Sequence, residues 1–274
     1  MSIIESAYLK SKGKKDGKDS EDFIDEIVQS EKEVAESRSR PPKDLASARN
    51  QITQMAQDKI FTAEELAAKG LINPSMKDSV LLNKYRNLRT KLLTSTEKEN
   101  FVTLVTSVVP SGGNSMVATN LAATFALDEG KTSLLVDANI NNPQLASLLD
   151  VESDIGLIDY LESDEYGMED VLKKTPIPRL RLLPSGKVRV SAAEYFTSEK
   201  MKSMMKDMAT RYPERFPIID APSITQSADT RILIEMCDMV ILVVPHGKCT
   251  KEEIRYAAMA IGNEKLTGIV LNEF

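Results

Sequence analysis

Histidine is almost missing from this chain: His246 is the only one in 274 residues. Histidine-based triads and most zinc sites therefore lack raw material. Cysteine is nearly as scarce. Cys237 and Cys249 flank an apolar run, with no CxxC and no pairing framework, which fits a reducing cytoplasm. No apolar run approaches the ~18–20 residues that cross a bilayer, and the N-terminus lacks the hydrophobic stretch of a secretory signal. Positive charge is in deficit as well. With 35 Lys and Arg against 41 Asp and Glu, the formal net charge is -6, so no nucleic-acid partner is expected. Carboxylates, side-chain amides and backbone N–H groups are what remain for chemistry.

What is present suffices for one substantial core plus an appendage, at 42% apolar content. Met1–Lys10 places Ile3, Ile4, Ala7 and Tyr8 at the spacing of a short amphipathic helix. Residues 11–61 read as a flexible, charged, partly helical linker. Its helical part, Glu21–Arg40, ends before Pro41 and Pro42. The folded domain is read as 62–274. It opens with Thr62 and Glu65 in a capping-box pattern, Leu66 starting an apolar stripe, and Gly70 where a helix ends. Ser79–Thr94 then puts Val80, Leu81, Tyr85, Leu88 and Leu92 on one helical face.

From Phe101 onward, short β-branched runs alternate with helical stretches. The runs are Phe101–Val108, Lys131–Val136, Leu180–Leu183, Phe216–Ile219, Met239–Val244 and Leu266–Leu271. Helices are expected near Ser115–Asp128, Ser198–Arg211, Thr230–Met236 and Lys251–Asn263. Near-continuous apolar strands separated by helices predict an α/β fold with a doubly wound, mostly parallel sheet covered on both faces.

Between the first strand and its helix lies Val108-Val109-Pro110-Ser111-Gly112-Gly113-Asn114-Ser115. Backbone amides at such a junction, with a helix N-terminus behind them, can cradle phosphates. Against G-x-x-x-x-G-K-[ST], Gly113 and Ser115 match, Val108 replaces the first glycine and Asn114 replaces the lysine. An ordinary turn that uses Gly-Gly for tightness explains the stretch equally well. Two strand-end carboxylates tip the balance. Asp137 and Asp220 each close an apolar run, and in a parallel sheet both would face the crevice at the strands' carboxyl ends. Beside Ser115 they would make a magnesium site.

Five further segments make the pattern specific: Lys84–Thr90, Val136-Asp137-Ala138-Asn139, Leu183-Pro184-Ser185-Gly186, Ile219-Asp220-Ala221-Pro222 and Val270-Leu271-Asn272. Together they resemble the bacterial tyrosine kinases, P-loop proteins of capsule and exopolysaccharide assembly. Met1–Lys10, Leu71-Ile72-Asn73-Pro74 and Met208–Pro213 add a likeness to the cytoplasmic autokinases of exosortase-type clusters. The resemblance implies that Asp137 and Asp220 bind magnesium and activate the attacking tyrosine, with Ser115 also on the metal. It implies that Ser111, Gly112, Gly113, Asn114, Ser115 and Met116 hold the phosphates of ATP or ADP, and that Asn272 reads the adenine. It further implies a chain-length-determinant-type inner-membrane partner and peripheral membrane location through it. Association of subunits would run through the helix bearing Arg86 and Arg89.

Several positions depart from the family pattern. Besides Asn114, a second aspartate is expected at Asn139, a basic residue at Asn141 or Asn142, and a glutamate at Asn83. Phosphoryl transfer depends on positioning and on positive charge beside the migrating group, which asparagine cannot supply. The expected function is therefore a catalytically impaired, regulatory nucleotide-binding relative. The alternatives are an active autokinase that borrows a cation such as Lys131 or Lys187, a MinD- or ParA-like positioning ATPase, and a pure interaction module with a vestigial site. No tyrosine-rich tail is seen; of seven scattered tyrosines, Tyr160 and Tyr166 are expected to be the most exposed. The methionines at 201, 204, 205 and 208 are expected to form a core face.

Overall fold

The computed structural model describes residues 59–73, 75–76, 80–187 and 193–273. The expected helix at 1–10 and the linker up to residue 58 lie outside the described residues.

Helix α1 (Ala63–Ala68) begins at the Thr62 capping box: Thr62 Oγ1 accepts from the Glu65 amide, and Glu65 accepts from the Thr62 amide. It ends as the sequence reading requires, with Gly70 at φ 68°, a left-handed turn without Cβ cost. Helix α2 (Val80–Thr94) buries Leu82, Tyr85 and Leu92. Strand β1 (Thr103–Ser107) is buried throughout and feeds α3 (Asn114–Ala126), followed by β2 (Thr132–Asp137). Short helices α4 (Leu145–Leu148), α5 (Leu157–Glu162) and α6 (Met168–Val171) lead to β3 (Lys173–Lys174) and β4 (Leu180–Leu183). Next come α7 (Ala193–Phe196), α8 (Glu199–Thr210), β5 (Arg215–Asp220), α9 (Ala228–Glu235), β6 (Met239–Pro245), α10 (Lys251–Ile261) and β7 (Leu266–Asn272).

The seven strands run in the order β3-β4-β2-β5-β1-β6-β7. All neighbours are parallel except the two-residue β3, which pairs antiparallel with β4. The α/β, mostly parallel expectation holds, and the six expected strands appear within two residues of their expected ends. β3 and the short helices α4 to α7 went unanticipated, because segments of two to six residues show too little periodicity to register. One side of the sheet packs under α8, whose buried face is Met201, Met204, Met205 and Met208, as expected. The other side packs against α2 and α3 around Phe101, Phe125 and Phe216, with centroids 4.5–6.2 Å apart. Asn120 ties the α1 segment to this layer, accepting from the Ile72 amide at 2.8 Å and donating to the Gly70 carbonyl at 3.2 Å. Edge strand β7 departs from the doubly covered pattern, with Ile269 and Leu271 exposed.

Topology fixes where a site must lie. β1 sits between β5 and β6, while the chain leaves β1 through α3 to reach β2 on the far side of β5. The strand order therefore reverses around β1 and β5, and a crevice opens at their carboxyl ends.

Candidate functional site

Two carboxylates form the floor of that crevice. Parallel pairing of β2 with β5 places Asp137 directly beside Asp220 in register, and both are fully buried. Asp137 is well supplied with donors: Oδ1 accepts from the Asn139 amide at 3.2 Å and Oδ2 from the Leu145 amide at 3.1 Å, so it also fastens the loop and helix after β2. Asp220 has fewer. Its Oδ1 accepts from Asn114 Nδ2 at 2.7 Å, whereas Oδ2 is buried without a hydrogen-bond partner. Burial pushes the Asp137 carboxyl up to about 7, against the pull of its backbone donors. Burial, then repulsion from Asp137, pushes Asp220 up to about 8, against the pull of Ser115 and Asn114.

The β1–α3 loop forms the wall above this floor. Thr225 Oγ1 donates to the Val108 carbonyl at 2.6 Å, and the Ile224 amide donates to the Ser107 carbonyl at 3.0 Å, so the loop is anchored before it turns. Ser111, at φ 56°, and Gly113, at φ 89°, adopt the left-handed conformation that curls successive amides toward one concavity. A side chain at Gly112 would meet Ser107 Cβ at 2.5 Å, so only glycine lets the loop close this tightly. Asn272, at the end of β7, donates from Nδ2 to the Gly112 carbonyl at 3.0 Å and lies against Gly113.

Asn114 is the first residue of α3 and is buried. Its side chain turns down toward the floor, not out toward the cleft. Nδ2 donates to Asp220 Oδ1 and, at 3.0 Å, to the Ala221 carbonyl, while Oδ1 accepts from Ser107 Oγ at 3.1 Å. Both donors of this amide and one of its two acceptor sites are spent on the protein itself.

Two clefts flank the loop. One, of 540 Å³, is lined by Ser111, Asn114, Asn139, Asn141, Asn142, Ser223, Gln226, Ser227 and Asp229, with Pro110, Pro222 and Ala228. The other, of 440 Å³, runs along Ser111, Gly113, Asn114, Ser115, Met116, Asn139, Asn142, Gln144, Ser147 and Leu148. Among the described residues the sole charged one in either lining is Asp229, and it is negative.

The structure thus brings Ser111, Gly112, Gly113, Asn114, Ser115, Met116, Asp137 and Asp220 to one crevice, together with Asn139 and Asn142, whereas Asn272 touches the loop from behind and lines a separate pocket with Gly70, Lys84, Tyr85 and Lys91. Sequence reasoning did not single out Ser223, Gln226, Ser227 or Asp229; their place just after the Asp220 strand was the available signal. Lys131 stands at the opposite, amino-terminal end of β2 and is paired with Asp128 at 2.8 Å. Arg89 is also turned inward: it donates to the Thr124 carbonyl at 2.8 Å, capping the end of α3, and Arg86 is the exposed one of the two. Tyr160 lies in α5 and, like Tyr166, is half-buried against the core; Tyr256 is exposed instead.

A divalent cation fits this arrangement. Two buried carboxyl groups side by side, one oxygen of which has no donor, offer hard oxygen ligands, and a cation between the strand ends would favour their ionised forms. Among the described residues no cluster of three or more His, Cys, Asp or Glu exists, so the remaining ligands would be a hydroxyl such as Ser115, water or the bound substrate.

Comparison with known proteins now becomes decisive. Tyrosine-protein kinase YwqD of Bacillus subtilis is 32% identical over 191 residues, which cover 69% of this chain and 79% of the relative. This chain belongs to the bacterial tyrosine-protein kinase family. No protein-family model matches it. Among solved structures, the kinase domain of the Escherichia coli tyrosine kinase ETK superposes with a TM-score of 0.68 at 22% identity, covering 79% of this chain and 82% of that one. The Pyrococcus furiosus cell division ATPase MinD superposes less well, with a TM-score of 0.53 at 21% identity over 64% of this chain and 72% of that one. At these identities the structures establish a shared α/β fold. The tyrosine-kinase assignment of the family rests on the sequence relationship.

Proposed function

We propose that this member of the tyrosine-kinase family binds ATP or ADP with magnesium but transfers phosphate poorly, and that it serves as a regulatory component of exopolysaccharide assembly. The observation that carries the reading is Asn114. At the position of the P-loop lysine stands an amide whose hydrogen bonds go to Asp220, Ala221 and Ser107, and among the described residues neither adjoining cleft is lined by a cation. Charge building on a migrating phosphoryl group would meet neutral amides, and this is the interaction on which phosphoryl transfer most depends.

Binding is a separate matter. The curled amides from Ser111 to Ser115 and the N-terminus of α3 suit phosphates without any lysine. The Asp220 oxygen left without a hydrogen-bond partner favours a retained metal over a vestigial pocket, since the ionised pair costs stability unless a cation offsets it. Magnesium, when bound, would supply positive charge that offsets the carboxylates and the phosphates. Asp137 and Asp220 would hold it with Ser115, and Asn272 would steady the loop through Gly112 while facing the base. Partnership with a chain-length-determinant-type protein at the inner membrane belongs to the same reading. It agrees with the finding that no helix among the described residues is long and apolar enough to cross a membrane.

The test pairs two measurements on the full chain. Calorimetric titration with ADP should show binding that strengthens with magnesium, and incubation with magnesium ATP should leave the tyrosines unphosphorylated. Robust autophosphorylation that disappears in Asp220→Ala would overturn the reading of impaired transfer. Absence of heat at any magnesium concentration would overturn the reading of retained binding.

A further inference from the structure

Tyr256 lies on α10, away from the cleft, and at 52% exposure it is the most open tyrosine among the described residues. Its phenol oxygen accepts a hydrogen bond from Arg231 Nη2 at 2.7 Å, and the guanidinium lies 5.9 Å from the ring centroid. Among the described residues no carboxylate is within ion-pair distance of Arg231, so its charge is directed at a neutral phenol. Tyr212 also lies against guanidiniums, with Arg215 and Arg211 4.1 and 5.5 Å from its ring centroid, but it is half-buried; Tyr195 and Tyr160 have different company. Tyr195 donates to the Glu162 carboxylate, which would repel an anion, and the Lys200 above Tyr160 is taken by Asp164 at 2.7 Å. Arg231 belongs to α9, and two residues before it Asp229 lines the 540 Å³ cleft.

We propose that Tyr256 is a phosphorylation site, modified in trans by a catalytically competent tyrosine kinase using ATP, and that Arg231 captures the phosphate and ties α10 to the cleft-lining helix. In the transfer, a bond forms between the Tyr256 oxygen and the γ-phosphorus while the bond from that phosphorus to the β-bridging oxygen breaks. ADP leaves, and the phenolic proton passes to the base of the modifying kinase. The product carries a charge of about -1.5 to -2 and three acceptor oxygens where one neutral oxygen stood, and a guanidinium can engage two of them at once. The site stands whether or not this chain transfers phosphate itself.

The test treats the full chain with magnesium ATP and the E. coli ETK kinase domain, with a tyrosine peptide as labelling control. Mass spectrometry should place phosphate at Tyr256, and Tyr256→Phe should remove it. In Arg231→Gln the phosphate should still be incorporated, but a tyrosine phosphatase should remove it about tenfold faster, a factor equal to ~1.4 kcal/mol of lost phosphate capture. Amide exchange in the first turn of α9 should slow on phosphorylation in the parent chain and not in Arg231→Gln. A labelled control peptide with no phosphate at Tyr256 would overturn the site. Equal phosphatase rates and exchange in the two proteins would overturn the role of Arg231.

Discussion

The floor and the rim of the crevice have gone different ways. On the floor, Asp137 and Asp220 lie side by side at 0% exposure, with their carboxyls held far above the usual aspartate range. On the rim, Asn139, Asn141, Asn142 and Gln226 offer neutral amides to solvent. Folding alone would favour the reverse, since buried like charges destabilise a domain and rim residues are nearly free to vary. A costly feature kept where it is hardest to keep argues for a ligand that offsets its cost. A missing charge where charge is easiest to keep is what the proposed loss of rapid phosphoryl transfer would leave behind. Asn114 joins the two regions. In the proposed reading it replaces the P-loop lysine, and its side-chain hydrogen bonds all go to the floor, to Ala221 just after it and to β1.

The largest expected effect comes from restoring charge at this junction. Asn114→Lys combined with Asn139→Asp should raise the initial rate of tyrosine phosphorylation by about 100-fold or more, the scale on which single transition-state charge contacts act. Radiolabel transfer from ATP to a tyrosine peptide measures it. A gain below tenfold would mean that the difference between floor and rim is not what limits transfer.

How this junction is wired was only half legible in the sequence. The strand-end rule paired Asp137 with Asp220 because parallel neighbours share a carboxyl end, and Asn114 stood out against a lysine motif. That Asn114 turns down to Asp220 was invisible, because its partner lies 106 residues away and an amide can satisfy itself in many directions. The inward turn of Arg89 was invisible for a similar reason: the carbonyl that it caps belongs to α3, 35 residues later. Tyr160 and Tyr166 misled because acidic neighbours suggested an exposed loop, whereas both rings pack on the core. Long, strongly apolar elements were readable throughout. The two-residue β3 and the four-residue helices depend on tertiary contacts that local pattern does not carry.

The next effect in size concerns stability. Asn114→Ala removes the donor to a buried carboxylate and leaves Asp220 Oδ1 in the same state as Oδ2, at a cost of ~1–3 kcal/mol. At ~2–4 °C per kcal/mol for a domain of this size, calorimetry should show the melting temperature falling by several degrees. An unchanged melting temperature would show that the floor does not depend on this amide.

A pH series probes the same floor without mutation. Both carboxyls titrate higher in the folded chain than the ~3.9 of an unfolded aspartate, so the native state holds protons that the unfolded state has released. Their contribution is fully present below pH ~4 and is lost as pH rises through about 7 and 8. Without metal, the unfolding free energy at pH 8.5 should be lower than at pH 5.5 by at least ~1.4 kcal/mol, the worth of one pKa unit. Saturating magnesium should flatten the difference, because a bound cation favours the ionised pair. A metal-free chain equally stable at both values would mean that water already reaches the floor.

The smallest expected effect on stability is at the rim, and it sharpens the comparison most directly. Asn141 is exposed, lines the larger cleft, and has no side-chain hydrogen bond among the described residues. Asn141→Arg should therefore change the unfolding free energy by less than ~0.5 kcal/mol, as surface substitutions away from special features do. If the cleft holds phosphates, the new guanidinium should tighten ADP binding severalfold through a charge-assisted contact, and added salt should diminish the gain. A rim that accepts charge without loss of stability, above a floor that cannot lose an amide without it, would place the control of chemistry in positions that folding does not constrain. If Asn141→Arg instead lowers the melting temperature as much as Asn114→Ala does, rim and floor form one structural unit, and the neutral rim reflects packing, with no relaxed demand for catalysis behind it.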